Sequence, residues 1–159
     1  MKKEKLRFSI FCLVIFCLVS LPVSQIALLG YVPKTSSIYS FYTTDKISFL
    51  DNAKIVKNGN ACVVSCNSKY ASTVKASIGN ILGESITINN PNNDVLKQIN
   101  DYISQNILYD EKLDGTQIIY GYDNTLENFV MVDGQKVNFQ VAINSDYIVI
   151  GYPLILGSF

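Results

Sequence analysis

The chain holds no histidine, so the side chain that most often moves protons at neutral pH is missing. A Ser or Cys nucleophile would have to borrow a Lys or a carboxylate as its base. Asp110, Glu111 and Asp114 sit close together in "YDEKLDG". They could serve as acid and base for glycoside cleavage or as oxygen ligands for calcium; adjacent carboxylates in a polar stretch more commonly form a solvated turn. Cys12 and Cys17 fall in an apolar leader, which leaves Cys62 and Cys66 in "ACVVSC". On a continuous strand, positions four apart lie about 13 Å from each other at about 3.3 Å per residue, farther than a disulfide tolerates, so two buried thiols are expected. With no histidine and no second cysteine pair, neither a metal nor a cofactor is expected. Gly115, Gly121 and Gly134 each follow turn or strand logic and form no phosphate-cradling loop.

Amides and phenols offer different chemistry. Asn138 and Gln140 occupy one face of "QKVNFQVAI", opposite Val137 and Phe139, and Tyr120 and Tyr122 share a face of "TQIIYGY". A surface of amides and phenols recognises glycans or peptides without a charge cost. Tyr120, Tyr122, Asn138 and Gln140 are therefore the candidate ligand-binding residues, set against the plainer reading of an exposed polar sheet face beside core tyrosines.

The elements that must position them read as follows. "AKIVK" and "ACVVSC" flank Asn58 and Gly59, a hairpin signal. Ala71, Val74, Ile78, Ile81 and Leu82 recur at helical spacing, with Ser68 as N-cap and Gly83 as C-terminal stop. "ESITIN" alternates like a strand. A second helix opens at Asp94, with Leu96, Ile99, Ile103 and Ile107 as its buried stripe. After polar "DEKLDG" only strands follow: "TQIIYGY", "NFVMV", "QKVNFQVAI" behind an Asp133-Gly134 turn, and "YIVIGYPLI". Pro153 has no N–H, so the last strand should lie at an edge or stop pairing there. The apolar run from Tyr147 to Leu156 makes the carboxyl end structural. The order is ββαβαββββ, an α+β domain of mostly antiparallel sheet with two amphipathic helices on one face.

Apolar residues make up 48% of the 159, and many of them stand near the amino end. Residues 8–33 carry no charge and follow "MKKEKLR", the signature of a membrane-targeting segment. Its length allows it to cross a bilayer, and the weak cleavage signal favours a retained anchor; Pro22, Ser24 and Gln25 interrupt it in the manner of a cleaved signal peptide. The expected organisation is a signal peptide or anchor over 1–33, a connector over 34–44 and an extracytoplasmic domain over 45–159, with the lipid bilayer contacted through residues 8–33. After Lys34 there are eight lysines, twelve carboxylates and no arginine, so no nucleic-acid partner is expected.

The stretches "TQIIYGY", "VDGQKVNFQVAI" and "YIVIGYPLILGSF" resemble the YwmB-like family of secreted or membrane-anchored proteins of spore-forming Gram-positive bacteria. The resemblance covers about 45 residues within 116–159. It implies a fold like that of the TATA-box-binding protein, and it brings no activity, cofactor or catalytic residue with it. The leading expectation is a non-catalytic module that binds an envelope polymer or protein. The alternatives are an envelope hydrolase, or an assembly partner acting through the strand that bears Pro153.

Overall fold

The structure, a computed structural model, describes residues 37–156. The expected membrane segment over 1–33 lies outside the described residues. Among the described residues no helix is long and apolar enough to cross a membrane. The chain runs β1 (Ser37–Thr43), β2 (Ala53–Asn58), β3 (Ala61–Asn67), a 3-10 turn (Ser68–Tyr70), α1 (Ala71–Ala76), β4 (Ile81–Asn89) and α2 (Asn93–Asn106). It continues through β5 (Ile107–Leu113), β6 (Thr116–Gly121), β7 (Val130–Val132), β8 (Gln135–Val137), β9 (Phe139–Ile143) and β10 (Tyr147–Tyr152). Eight strands form one antiparallel sheet in the order β2-β3-β1-β4-β10-β9-β6-β5, and β7 pairs with β8 as a separate ribbon. The α+β class and the mostly antiparallel sheet are as expected.

The connector expected over 34–44 is corrected by β1, which lies between β3 and β4 near the middle of one half-sheet. Its inward residues are Ser37, Tyr39, Phe41 and Thr43, two of them small and polar, which blurs the apolar alternation that identifies a half-buried strand. β3 and β4 flank β1 and run parallel to each other, so the chain between them must cross over, and α1 is that crossover. The first helix is shorter than its spacing suggests. It ends at Ala76, and Ile81, expected on the helix, begins a nine-residue strand. Asp45 holds the break, its Oδ2 accepting the N–H groups of Gly79 at 2.8 Å and Asn80 at 3.0 Å.

α2 starts one residue before the expected Asp94. Asn92 is its N-cap, accepting the N–H of Val95 at 2.9 Å, which satisfies one of the orphan donors of the first turn. Its buried stripe is Val95, Ile99 and Ile103; Ile107 is exposed and already extended. The stretch from Ile107 to Leu113, read partly as helix and partly as polar loop, is instead the edge strand β5.

Cross-strand register sorts the sheet's faces. Phe41 stands opposite Val64 and Glu84, Tyr152 opposite Glu84, and Ile150 opposite Ile86 and Val141. Ile119 faces Val141 and Gly121 faces Phe139. These residues share the side on which the helices pack, since Lys75 of α1 meets Glu84 and the Tyr102 ring of α2 lies 5.1 Å from that of Phe139. Val64, Phe139, Val141, Ile148 and Ile150 are wholly buried there, each contributing about 1.5–3 kcal/mol.

The final strand pairs on both sides, with β4 and β9, so of the two outcomes Pro153 allows, an edge position or an end of pairing, the second holds: pairing stops at Tyr152, the residue before it. Beyond the cis Tyr152–Pro153 bond the chain folds back over the face away from the helices. A Cβ on Gly151 would meet the Ile155 nitrogen at 2.5 Å, and one on Gly83 would meet Leu156 Cδ1 at 3.2 Å. Both glycines are the clearance this return requires.

Candidate functional site

The four residues proposed from the sequence separate into two roles. Asn138 is 1% exposed, and its side chain is consumed within the fold. Its Oδ1 accepts the Asp123 N–H at 2.8 Å, and its Nδ2 donates to the Asp123 carbonyl at 2.6 Å and to the Leu126 carbonyl at 3.3 Å. Asp123 is itself a hub: its carboxylate accepts from the Tyr102 hydroxyl at 2.8 Å, the Thr125 N–H at 2.8 Å and the Thr125 hydroxyl at 2.6 Å. Burial pushes the Asp123 carboxyl upward, but the bonds from Thr125 and Tyr102 favour the ionised form more strongly and leave its pKa below the usual value. Asn138 thus clamps the loop after β6, and that loop is tied to α2.

Gln140 is 6% exposed, and its Oε1 accepts the N–H of Ile155 at 2.9 Å. It pins the carboxyl-terminal return. The exposed polar face expected of Asn138 and Gln140 is therefore corrected. Gln140 keeps the parity read for it, whereas Asn138 stands between β8 and β9, outside either strand; loop and terminal main chain cover both amides, and a buried amide must then find partners. Tyr122 is half-buried, and its N–H bonds the Asn106 carbonyl at 3.0 Å, at the end of α2.

Tyr120 remains at the surface, half-buried and opposite Tyr109 of β5. The two rings stack with centroids 4.6 Å apart and planes 19° apart. The Tyr120 hydroxyl donates to Glu111 Oε1 at 2.8 Å, and Gln117 Nε2 donates to Asp110 Oδ2 at 3.0 Å. Burial comes first and the Glu111 carboxylate second in pushing the Tyr120 phenol up to about 12, with Gln140 pulling weakly the other way. Burial, Asp133 and Glu111 raise Tyr109 as well. Both phenols are neutral donors at physiological pH, on a β-strand scaffold that fixes their orientation.

β5 also decides the acid–base reading of Asp110 and Glu111. Successive strand residues point to opposite faces: Asp110 lies opposite Ile119, on the helix side, and Glu111 opposite Ile118, on the other. They cannot bracket one scissile bond. Asp114 stands in the tight turn with Gly115, both at positive φ (48° and 85°). Among the described residues no group of three His, Cys, Asp or Glu is arranged to hold a metal ion. On the helix side the β5–β6 hairpin borders a shallow depression of about 550 Å³ lined by Asp110, Lys112, Gln117, Asn144 and Ser145.

A second polar group lies under the helices. Glu84 Oε2 is buried and meets Lys75 Nζ at 2.9 Å as a charge pair, without the geometry of a hydrogen bond. Tyr152 stands directly across from Glu84. Burial, then Glu84, pushes the Tyr39 phenol up to about 12 and that of Tyr152 higher still. Cys62 and Cys66 are free, buried thiols; burial raises the Cys66 thiol.

Tyr109 was not among the sequence candidates, and Glu111 was weighed only as an acid, a base or a calcium ligand. The signal that marks them is the Asp114-Gly115 turn between "ILYDEKL" and "TQIIYG", a type I′ hairpin signature. Compared with family models, curated proteins and solved structures, the chain finds no match.

Proposed function

We propose that this chain is a non-catalytic binding module of the cell envelope, displayed outside a membrane by residues 8–33, and that its ligand surface is the Tyr109–Tyr120 pair with Glu111. Likeness to the YwmB-like family belongs to the same reading. The observation that carries it is the ring stack, two partly exposed phenols held parallel on a paired strand edge, with one hydroxyl fixed by a carboxylate. Aromatic rings on a rigid strand give contact area at low conformational cost, and their hydroxyls supply direction. A polymer rich in hydroxyl and amide groups, such as wall glycan, matches that surface.

The test is cosedimentation of the full chain with purified insoluble wall polymer. Tyr109→Ala should weaken binding about three- to tenfold, the worth of one aromatic contact, with the melting temperature nearly unchanged. Binding that survives Tyr109→Ala and Tyr120→Ala together, in protein that still melts cooperatively, would overturn the proposal.

A further inference from the structure

We infer that the two rims of the eight-stranded sheet are complementary, and that molecules join end to end by pairing β5 of one with β2 of a second copy. Among the described residues β2 and β5 each have a strand partner on one side only. An unpaired rim offers its main-chain N–H and C=O groups to another strand. The two are close in length, six and seven residues, and opposite in character. β2 carries Lys54 and Lys57 and no acid, whereas β5 carries Asp110 and Glu111 beside the single Lys112.

The fold supplies the geometry. Among the described residues every neighbouring pair in the sheet is antiparallel, and the strands number eight. β2 and β5 therefore run in opposite directions, and a copy displaced along the sheet presents its β2 antiparallel to β5 with helices on the same side. Lys57 lies opposite Cys62 and Asp110 opposite Ile119, so both project toward the helices; Lys54 and Glu111 both project to the other face. Setting Asp110 against Lys57 of the second copy places Glu111 opposite Val56 and diagonal to Lys54, and Lys112 opposite Ile55. No like charges stand directly opposite; Lys57 faces Asp110 and has Lys112 only on a diagonal, and opposite charges on facing strands attract.

Pairing of like rims is disfavoured. Two β5 strands centred on Asp110 or Glu111 set a carboxylate against itself, and two β2 strands gather four lysines. Rim charges of this kind guard against self-pairing, and here the same charges leave the mixed pairing open. Such a contact is heterologous and extends without closing unless the rotation per copy returns on itself. It uses rim main chain and charges and shares only Glu111 with the ligand surface, so the Lys57–Asp110 contact and the lysine reversals test it apart from the ligand reading above.

The experiment mixes full-length chain labelled with nitrogen-15 and unlabelled chain in detergent at low salt, followed by zero-length carbodiimide cross-linking and mass spectrometry. Lys57 and Asp110 of one sheet are seven strand spacings apart, about 34 Å, too far for such a bond. The expected result is isotope-mixed Lys57–Asp110 and Lys54–Glu111 peptides whose yield falls as salt rises. By sedimentation, Lys54→Glu with Lys57→Glu should weaken assembly about tenfold or more. Mixing that variant with Asp110→Lys plus Glu111→Lys chains should restore it. Because both lysines are exposed, the first variant tests the inference even if the second fails to fold. Absence of the mixed peptides, or assembly unchanged by the lysine reversals, would overturn it.

Discussion

Replacing Asn138 by alanine separates the two roles that its amide could have. If Asn138 clamps the loop, truncation strands the N–H and the carbonyl of Asp123, which the amide engages at 2.8 and 2.6 Å inside a residue only 8% exposed. A buried main-chain group left without a partner costs about 1–3 kcal/mol. Two such groups, with some relief from water entering the space vacated, give a loss of about 3 kcal/mol, a large share of a typical total of about 5–15 kcal/mol. At about 4 °C per kcal/mol for a domain of this size, the melting temperature should fall about 12 °C. Thermal melts followed by circular dichroism, with urea unfolding at 25 °C for the free energy, measure this. A variant that melts within about 2 °C of the parent yet no longer binds wall polymer would refute the reasoning, because Asn138 would then be a ligand contact and not a clamp.

Other outcomes follow from the same structure. Asp123 has a lowered folded pKa, so its stabilisation is complete above the ordinary value of 3.8 and is lost as pH falls through the lower folded value. Urea unfolding from about pH 6 to pH 3 should show the parent losing its advantage over Asp123→Asn across the acid end, and a constant gap would contradict the assignment. A Cβ at Gly121 would fall within the ring of Phe139, itself wholly buried and packed against Tyr102. Gly121→Ala should therefore cost about 1–3 kcal/mol or more, and adding Phe139→Leu should recover part of it in a double-mutant cycle. Gln140→Ala removes the acceptor of the Ile155 N–H, so that amide should exchange with deuterium at least about tenfold faster while the amides of β9 stay protected; an unchanged rate would show that the return is held by other means.

Much of this architecture was legible in the sequence where side-chain type and burial agree. The alternation of Val137, Phe139 and Val141 matches three wholly buried residues, and Asp133-Gly134 makes the tight turn between β7 and β8 with both φ values positive. Legibility failed where polar residues point inward or charged ones form a strand. Ser37 and Thr43 are 1% and 0% exposed, so β1 looked like linker. β5 is a rim that solvent reaches, and its carboxylates and lysine looked like loop. Asn138 and Gln140 were misread for a related reason. Polarity suggests exposure, but their partners are main-chain groups 12 to 15 residues away, which no local pattern announces. Tyr120 stands on a conspicuous strand, whereas Tyr109 sits where helix periodicity hands over to strand.

The central claim, that ligand meets the Tyr109–Tyr120 stack while Asn138 and Asp123 only hold the fold, is tested most directly by titrating isotope-labelled protein with soluble wall-polymer fragments and following side-chain and amide resonances by NMR. The account predicts shifts concentrated at Tyr109, Glu111 and Tyr120, with Asn138 and Asp123 unmoved. Saturable shifts at Asn138 and Asp123 that leave the two ring systems unchanged would contradict it.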